Sequence, residues 1–276
     1  MPSYRFLLVA ILVALSGCRQ VVQPGAELAD LGSIKQAFQR QSDAAVPFRA
    51  NGQCRFGIVE GPRKTWRLSL PVNLFVNPPY ELYMQGQAGI GPGGLVFLGC
   101  DQRQYWLGIR PQLNTFWWGN WAEGPDGRLP LDPGVILEAL GLLSIGEDPN
   151  RIAVSRRSGR VVVSWFDMEA RPAKRVLLEP RTGRVRRIEY LDPSGRQELV
   201  VELARYERLT EAFFVPSRIS LVSYDQGRVR CWARLNLNSI MHRRYPEEFR
   251  QRYFRMPEPH GFERVIQITE GMANDP

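Results

Sequence analysis

Alternation of apolar and polar residues with a period of two constrains the fold of this chain most strongly. Only a β-strand points successive side chains to opposite faces, so the alternation predicts strands with one dry and one wet face. Residues 65–76 (TWRLSLPVNLFV) show it over a long stretch, although Pro71 predicts a bend or a sheet edge. The apolar positions of this segment are Trp66, Leu68, Leu70, Val72, Leu74 and Val76.

Shorter segments of the same kind fill most of the chain and are separated by Gly, Pro, Asn and Asp. In the first half, strands are predicted at residues 54–59, 80–86, 95–99, 104–110 and 114–121. In the second half, they are predicted at residues 159–166, 175–179, 184–191, 197–206, 217–223, 228–237 and 264–269. The sequences EPRTG, DPSG and YDQG between neighbouring segments predict hairpin turns.

Three segments carry helical signals instead. Residues 26–40 have apolar side chains at helical spacing with mostly polar or small residues between them, which predicts an amphipathic N-terminal helix. These apolar residues are Leu28, Leu31, Ile34 and Phe38. A second helix is predicted to begin at Pro133, where Asp132 can cap it, and a third to cover residues 245–253.

Successive strands with short connections predict a mainly β fold built on a single large curved antiparallel sheet. We expect a half-barrel of about 11 strands, with the N-terminal and inserted helices covering its concave face. The predicted helices are too few to cover both faces of an open sheet. An immunoglobulin-like sandwich is the alternative, but its strands are shorter and it seldom has an N-terminal helix.

The first residues of the chain have the pattern of an export signal. Arg5 precedes an unbroken apolar run at residues 6–15. A helix of that length rises about 15 Å, half the ~30 Å of a bilayer core, which predicts a signal peptide rather than a spanning helix. The run ends in Leu-Ser-Gly-Cys, which resembles the lipobox of lipoproteins and predicts cleavage before Cys18 and lipid on its thiol. The alternative is an ordinary signal peptide followed by a chance cysteine.

This pattern divides the chain into a signal peptide at residues 1–17, a lipidated tether at 18–25 and one domain at 26–276. Arg19, rather than aspartate, follows the cysteine, which predicts an outer-membrane protein facing the periplasm. The net charge of +8 suits an anionic membrane or an acidic envelope polymer, and a merely solvated basic surface is an equal alternative. Nucleic acid is not expected as a partner of an exported lipoprotein.

Besides Cys18, the chain contains Cys54, Cys100 and Cys231. They lack the C-x-x-C spacing of zinc and redox sites, and spacing alone selects no disulfide. Cys54 and Cys231 both fall on the apolar side of predicted strands, so a bridge between them is the hypothesis for an oxidising compartment. The alternative is that all three are buried thiols.

Enzyme motifs are missing from the sequence, which contains no G-x-S-x-G, H-E-x-x-H or P-loop. The run GIGPGG at residues 89–94 lies between predicted strands, so it predicts a hairpin loop rather than a dinucleotide site. The two histidines, His242 and His260, lie near Arg- and Pro-rich segments. We expect no catalysis, no metal and no cofactor, with an unassigned hydrolase as the weakest alternative.

Several short motifs occur in a recognisable order. An amphipathic helix precedes FRANGQCRF at residues 48–56, and a long strand leads into NPPYELY at residues 77–83. Later, VPSRISL at residues 215–221 precedes a hairpin, and FRMP at residues 254–257 is followed by Pro, Gly and Val-Ile. Over most of residues 27–270 this order resembles the lipoprotein carrier and receptor family with the LolA/LolB-like fold.

The resemblance implies an open half-barrel that binds acyl chains on its apolar side, beneath the helices. We therefore expect a membrane-anchored envelope lipoprotein that binds lipid or lipidated protein and takes part in lipoprotein sorting or outer-membrane biogenesis. Its protein partners are not predicted. The cavity residues expected from the apolar phase of the strands and of the first helix are Leu31, Ile34, Phe38, Trp66, Leu68, Leu70, Leu74, Leu82 and Met84.

Four tryptophans, Trp106, Trp117, Trp118 and Trp121, lie within a short span that the resemblance does not account for. Such rings occur in protein cores, at interfaces and in membrane belts. Core packing is one interpretation, and a cavity wall, a membrane-facing rim or a sugar-stacking surface are the others. Sugar stacking would make the protein a polysaccharide-binding module. A scaffold subunit of an outer-membrane complex is the remaining alternative.

Overall fold

The computed structural model consists mainly of β-strands joined by short turns. It describes residues 30–60, 64–87, 95–110, 113–121, 129, 131–142 and 148–268. The expected signal peptide, Cys18 and the expected tether lie outside the described residues. Their assignments therefore stay predictions.

Fourteen strands form within this part of the chain. Those of the first half are β1 (Phe48–Glu60), β2 (Lys64–Asn77), β3 (Glu81–Gln87), β4 (Leu95–Cys100), β5 (Gln104–Ile109) and β6 (Thr115–Asn120). Those of the second half are β7 (Ile152–Arg157), β8 (Arg160–Phe166), β9 (Pro172–Leu178), β10 (Val185–Leu191), β11 (Gln197–Arg208), β12 (Phe214–Asp225), β13 (Arg228–His242) and β14 (Arg264–Ile268).

Three α-helices accompany the strands in the described ranges: α1 (Leu31–Asp43), α2 (Pro133–Ala139) and α3 (Glu247–Tyr253). α1 begins where Asp30 accepts a hydrogen bond from the Ser33 backbone and Ser33 accepts one in return. This reciprocal cap satisfies amide groups that a helix N-terminus otherwise leaves unpaired. α2 begins with a proline behind the Asp132 cap, as its sequence predicts.

All the strands belong to one sheet. Its order is β14-β6-β5-β4-β3-β2-β1-β13-β12-β11-β10-β9-β8-β7, so two antiparallel meanders meet where β1 pairs with β13. The mainly β fold with one large curved sheet and inner helices is therefore confirmed. The expected strand number of about 11 is too low. β7 is a strand that the alternation did not identify, and β14 pairs in parallel with β6, so the sheet is not wholly antiparallel.

One side of the sheet, the inner face, packs against α1 and α2. On β2, Leu70 and Leu74 are buried, whereas Ser69 of the opposite phase is exposed. Ile34 of α1 and Ile136 of α2 are buried in the same hydrophobic cluster as these strand residues. The apolar side chains that alternate along the strands and those at helical spacing on α1 are therefore buried in one core.

The opposite side, the outer face, is covered at β2 and β3 by α3. The Phe75 ring lies 5.2 Å from that of Phe249, and the Tyr83 ring lies 5.4 Å from that of Tyr253, measured between centroids. Further along the chain, Phe262 packs against a second buried cluster on this face. That cluster is formed by Phe97, Trp106 and Phe116.

Candidate functional site

The expected cavity residues lie together on the inner face, and most of them belong to its packed core. Ile34, Phe38, Leu70, Leu74, Leu82 and Met84 are each at most 8% exposed. Leu31 of α1 and Trp66 and Leu68 of β2 are only half-buried. The alternation therefore predicted that these residues share one face of the sheet, but it did not distinguish the interior of the core from its margin.

The apolar inner face reaches solvent at one end of the β1–β2 hairpin. At the other end, Phe48 pairs with Val76, and both side chains are fully buried. Towards the hairpin turn, Ile58 pairs with Trp66, and these two side chains and Leu68 are half-buried. We name Ile58, Trp66 and Leu68 the open end. Ile58 was not among the expected cavity residues, although its phase on β1 matches that of buried Cys54 and Phe56.

α1 is attached to the domain by a narrow apolar stripe. Its buried residues are Ile34 and Phe38, one turn apart, and its other described side chains are at least partly exposed. Near its C-terminal end, the Gln41 amide donates to the Gly141 carbonyl over 3.3 Å. The Thr210 hydroxyl donates to the Ala44 carbonyl over 3.4 Å. A helix that buries so few side chains costs comparatively little to displace.

α2 is attached by polar contacts as well as by its buried face. The Lys174 ammonium donates to both carboxylate oxygens of Glu138, at 2.7 and 2.8 Å, and the Tyr190 hydroxyl donates to the same carboxylate. The Asp132 carboxylate accepts hydrogen bonds from the backbone of Gly134 and Val135. Burial nevertheless raises the pKa of Asp132 to about 6, because a charge is poorly solvated there.

The four tryptophans do not form one surface. Trp106 is fully buried in the outer-face cluster, and Trp118 packs beside that cluster. Trp117 and Trp121 pack against the inner-face core instead. The indole nitrogen of Trp121 donates to the Asp101 carbonyl over 2.7 Å. Since successive residues of β6 alternate between the two faces, these rings do not line up as a continuous stacking platform.

The predicted bridge between Cys54 and Cys231 is wrong. The two cysteines lie on neighbouring strands, but Cys231 pairs with Ile58 and Cys54 pairs with Leu235. Four residues along a strand correspond to about 13 Å, well beyond the Cα separation of a disulfide. Cys54, Cys100 and Cys231 are all buried, and burial raises the pKa of the Cys54 thiol to about 12.

Among the described residues, no group of three or more His, Cys, Asp or Glu side chains is arranged to hold a metal ion. His242 is exposed, and His260 is exposed and contacts Glu258. In the same part of the chain, no helix combines the length and the apolar character needed to cross a membrane.

Comparison with known proteins identifies similar folds among solved structures but no similar sequences. No protein-family model matches the sequence, and no curated protein matches it significantly. A LolA superfamily protein from Nitrosomonas europaea matches with a TM-score of 0.50 at 10% identity, over 80% of this chain and 96% of that one. A DUF1329 family protein from Desulfovibrio piger has a TM-score of 0.48 at 9% identity, covering 79% and 95% of the two chains. An outer-membrane lipoprotein-sorting protein domain from Vibrio parahaemolyticus has a TM-score of 0.49 at 11% identity, covering 79% and 94%.

The match to the Nitrosomonas protein covers nearly all of that chain. This chain therefore has a LolA-like fold, in which an open curved sheet holds helices on its inner face. The resemblance found in the sequence is confirmed at the level of the fold.

Proposed function

We propose that this protein is a lipid-anchored envelope lipoprotein that binds acyl chains, of lipids or of lipidated proteins, on its inner face. It acts by binding rather than by catalysis, in lipoprotein sorting or outer-membrane biogenesis. The open end is the entrance, and α1 is the element that moves to admit the ligand.

The main observation in support of this proposal is the apolar surface of the open end. Ile58, Trp66 and Leu68 present apolar surface to solvent, and that surface continues without a polar interruption into the buried inner-face residues of β1 and β2. An exposed apolar surface adjoining a core is the kind of site to which an acyl chain binds, because each CH₂ removed from water contributes about 0.8 kcal/mol.

Displacement of α1 would uncover enough of the inner face to bind a longer part of an acyl chain than its terminus. The side chains of Ile34 and Phe38 occupy the inner face that an acyl chain would cover. A ligand that replaces them exchanges one apolar contact for another, so the net cost is small. The apparent affinity then depends on the fraction of molecules in which α1 is displaced.

A titration with a fluorescent fatty-acyl probe tests this mechanism. Ile34→Ala removes buried contacts of α1 worth roughly 2–5 kcal/mol if the site does not collapse, so we expect the probe affinity to increase by more than about tenfold. Val265→Ala on β14, where the side chain is 49% exposed, is the matched control and should bind as the wild type does. Circular dichroism verifies that both variants fold.

Absence of saturable probe binding by the wild type would refute the acyl-binding proposal. The packed inner-face core would then favour the scaffold alternative, in which the domain presents its surface to other envelope proteins.

The lipid anchor is a separate part of the proposal. Cys18→Ser should leave an uncleaved precursor, or an unlipidated form that is lost from the outer-membrane fraction, because the substituted residue cannot carry a thioether-linked lipid. Mass spectrometry of the native protein provides the test. A mature protein that retains Met1, or that carries an unmodified Cys18, contradicts the anchor.

A further inference from the structure

The outer face of the second meander carries an arginine-rich groove that acyl binding does not use. A groove of about 570 Å³ crosses β7, β8 and β9, and an adjoining groove of about 910 Å³ extends towards β10 and β11. Both are lined by Ser158 and Arg160. Val162 and Leu177, which pair across β8 and β9, lie in the smaller groove on the side opposite the core.

Two arginines at one end of this groove are held side by side. Arg157 of β7 pairs directly with Arg160 of β8 across a two-residue turn. Ser158 and Gly159 in the turn have φ values of 49° and 72°, the conformation that fixes the register of a tight hairpin. Like charges in directly opposed positions destabilise a sheet. In the described part of the chain, no acidic side chain pairs with either arginine.

The acidic residues of the groove are already engaged by other arginines. Arg187 pairs with Glu189 and Glu202 at 2.7 and 2.9 Å, and Arg186 pairs with Glu179 at 2.8 Å. Arg175 lies opposite Glu189 in the register, but Glu189 is bonded to Arg187 and Gln197. The groove therefore keeps an excess of positive charge from Arg157, Arg160 and Arg175.

The spacing of these arginines sets the size of the anion that they can hold. Arg175 pairs with Ser164, which lies four residues beyond Arg160 on β8. The corresponding Cα separation is about 14 Å, which two arginine side chains can span from both ends. Guanidinium groups match phosphate oxygens in planar, two-bond contacts. Hydroxyl donors along the same path are Ser155, Ser158 and Ser164.

We propose that this groove binds a ligand carrying two or more phosphate groups. Arg157 and Arg160 hold one phosphate together, Arg175 holds the other, and the serine hydroxyls donate to the remaining oxygens. The phosphates belong either to anionic lipid headgroups or to a soluble phosphate compound. Because the groove lies on the outer face, its occupation is independent of acyl binding on the inner face.

The test uses the full-length protein in neutral detergent, titrated with inorganic tripolyphosphate. Arg157→Ser/Arg160→Ser should weaken binding by about tenfold or more, because both charge-assisted contacts to one phosphate are lost. Arg55→Ser/Arg234→Ser is the matched control, since Arg55 and Arg234 are also exposed and directly opposed on the outer face. This control should bind within about twofold of the wild type, at the same ionic strength.

Two outcomes overturn the proposal: no saturable binding by the wild type, or an equal loss in both double variants, which indicates only a basic surface. Addition of cardiolipin, whose headgroup carries two phosphates, to the micelles, with phosphatidylcholine as the control, separates the two sources. Competition by cardiolipin supports a headgroup ligand, and its absence supports a soluble one. The affinity of the same variants for the fatty-acyl probe should be unchanged. A failure of the phosphate-binding proposal can therefore be distinguished from a failure of the acyl-binding proposal.

Discussion

Lys174 of β9 donates to Glu138 of α2 from a position over the Trp165 ring, with its ammonium 5.4 Å from the ring centroid. The two side chains are 16% and 29% exposed, so water screens the pair only in part. α2 is therefore fixed to the sheet by a shielded ion pair, whereas α1 is held by two buried apolar side chains and two long hydrogen bonds near its C-terminal end. The difference makes α1 the easier helix to move.

Loss of this ion pair should destabilise the fold. Lys174→Met leaves the half-buried Glu138 carboxylate without its cation, so we expect a decrease of about 1–3 kcal/mol in the free energy of unfolding. Urea unfolding measures it. Arg196→Met removes an ion pair with Asp192 in which Arg196 is 65% exposed, and should cost no more than about 0.5 kcal/mol. Equal losses in the two variants would show that the Lys174 pair has no special role.

Asp132 should make stability depend on pH. Its pKa is raised from 3.8 to about 6 by burial, so the folded protein retains a proton that the unfolded chain releases. The contribution to stability is complete below pH 3.8, falls as the pH rises through about 6, and is absent above that. At most, Asp132 contributes about 3 kcal/mol to the free energy of unfolding. Urea unfolding between pH 4 and 8 measures the decline.

Asp132→Asn isolates the effect of this carboxyl group. The asparagine oxygen still accepts from the backbone of Gly134, so the helix cap remains while the titrating charge is removed. We expect the difference in unfolding free energy between the variant and the wild type to grow in favour of the variant from pH 4 to 7. A constant difference would show that Asp132 does not titrate in this range.

The fold could be predicted because local pattern and burial agree along β2 and α1. The alternation from Trp66 to Val76 placed β2 almost to its ends, and the spacing of Ile34 and Phe38 identified the stripe that α1 buries. β7 was missed because its only buried residue is Ile152, and the arginines that end it give no clear alternation. The parallel pairing of β14 with β6 is set by the path of the preceding chain, which no local pattern encodes.

The candidate site was predicted less completely, for reasons of register and packing. Alternation places Cys54 and Cys231 in the same phase, but only the pairing of β1 with β13 shows that they are four residues apart. In the same way, Leu68 and Leu70 have the same phase in the alternation, yet Leu68 lies at the open end and Leu70 lies in the core. The difference in exposure between Leu68 and Leu70 arises from tertiary packing, which depends on long-range contacts.

The ion pair between α3 and β3 should respond unequally to loss of its two members. Arg250 donates to both carboxylate oxygens of Glu81, at 2.9 and 3.1 Å, and the side chains are 38% and 10% exposed. Arg250→Met leaves a nearly buried carboxylate uncompensated, so we expect a loss of about 2–4 kcal/mol. Glu81→Gln leaves an arginine that can turn to solvent, and should cost about 1 kcal/mol. Urea unfolding of both variants tests this order, which a reversed ranking would contradict.

Leu68 and Leu70 provide the sharpest separation of binding from stability, because they share a strand face and differ in exposure. Leu70 is 1% exposed, and Leu70→Ala should cost about 2–5 kcal/mol by leaving a cavity in the core. Leu68 is half-buried at the open end, so Leu68→Ala should cost less than half as much. If acyl chains enter there, Leu68→Ala should still weaken the fatty-acyl probe several-fold, because it removes surface that the chain covers. Probe titration together with urea unfolding of both variants measures the two effects. Unchanged probe affinity in a folded Leu68→Ala protein would exclude the open end as the entrance, even if the wild type binds the probe elsewhere.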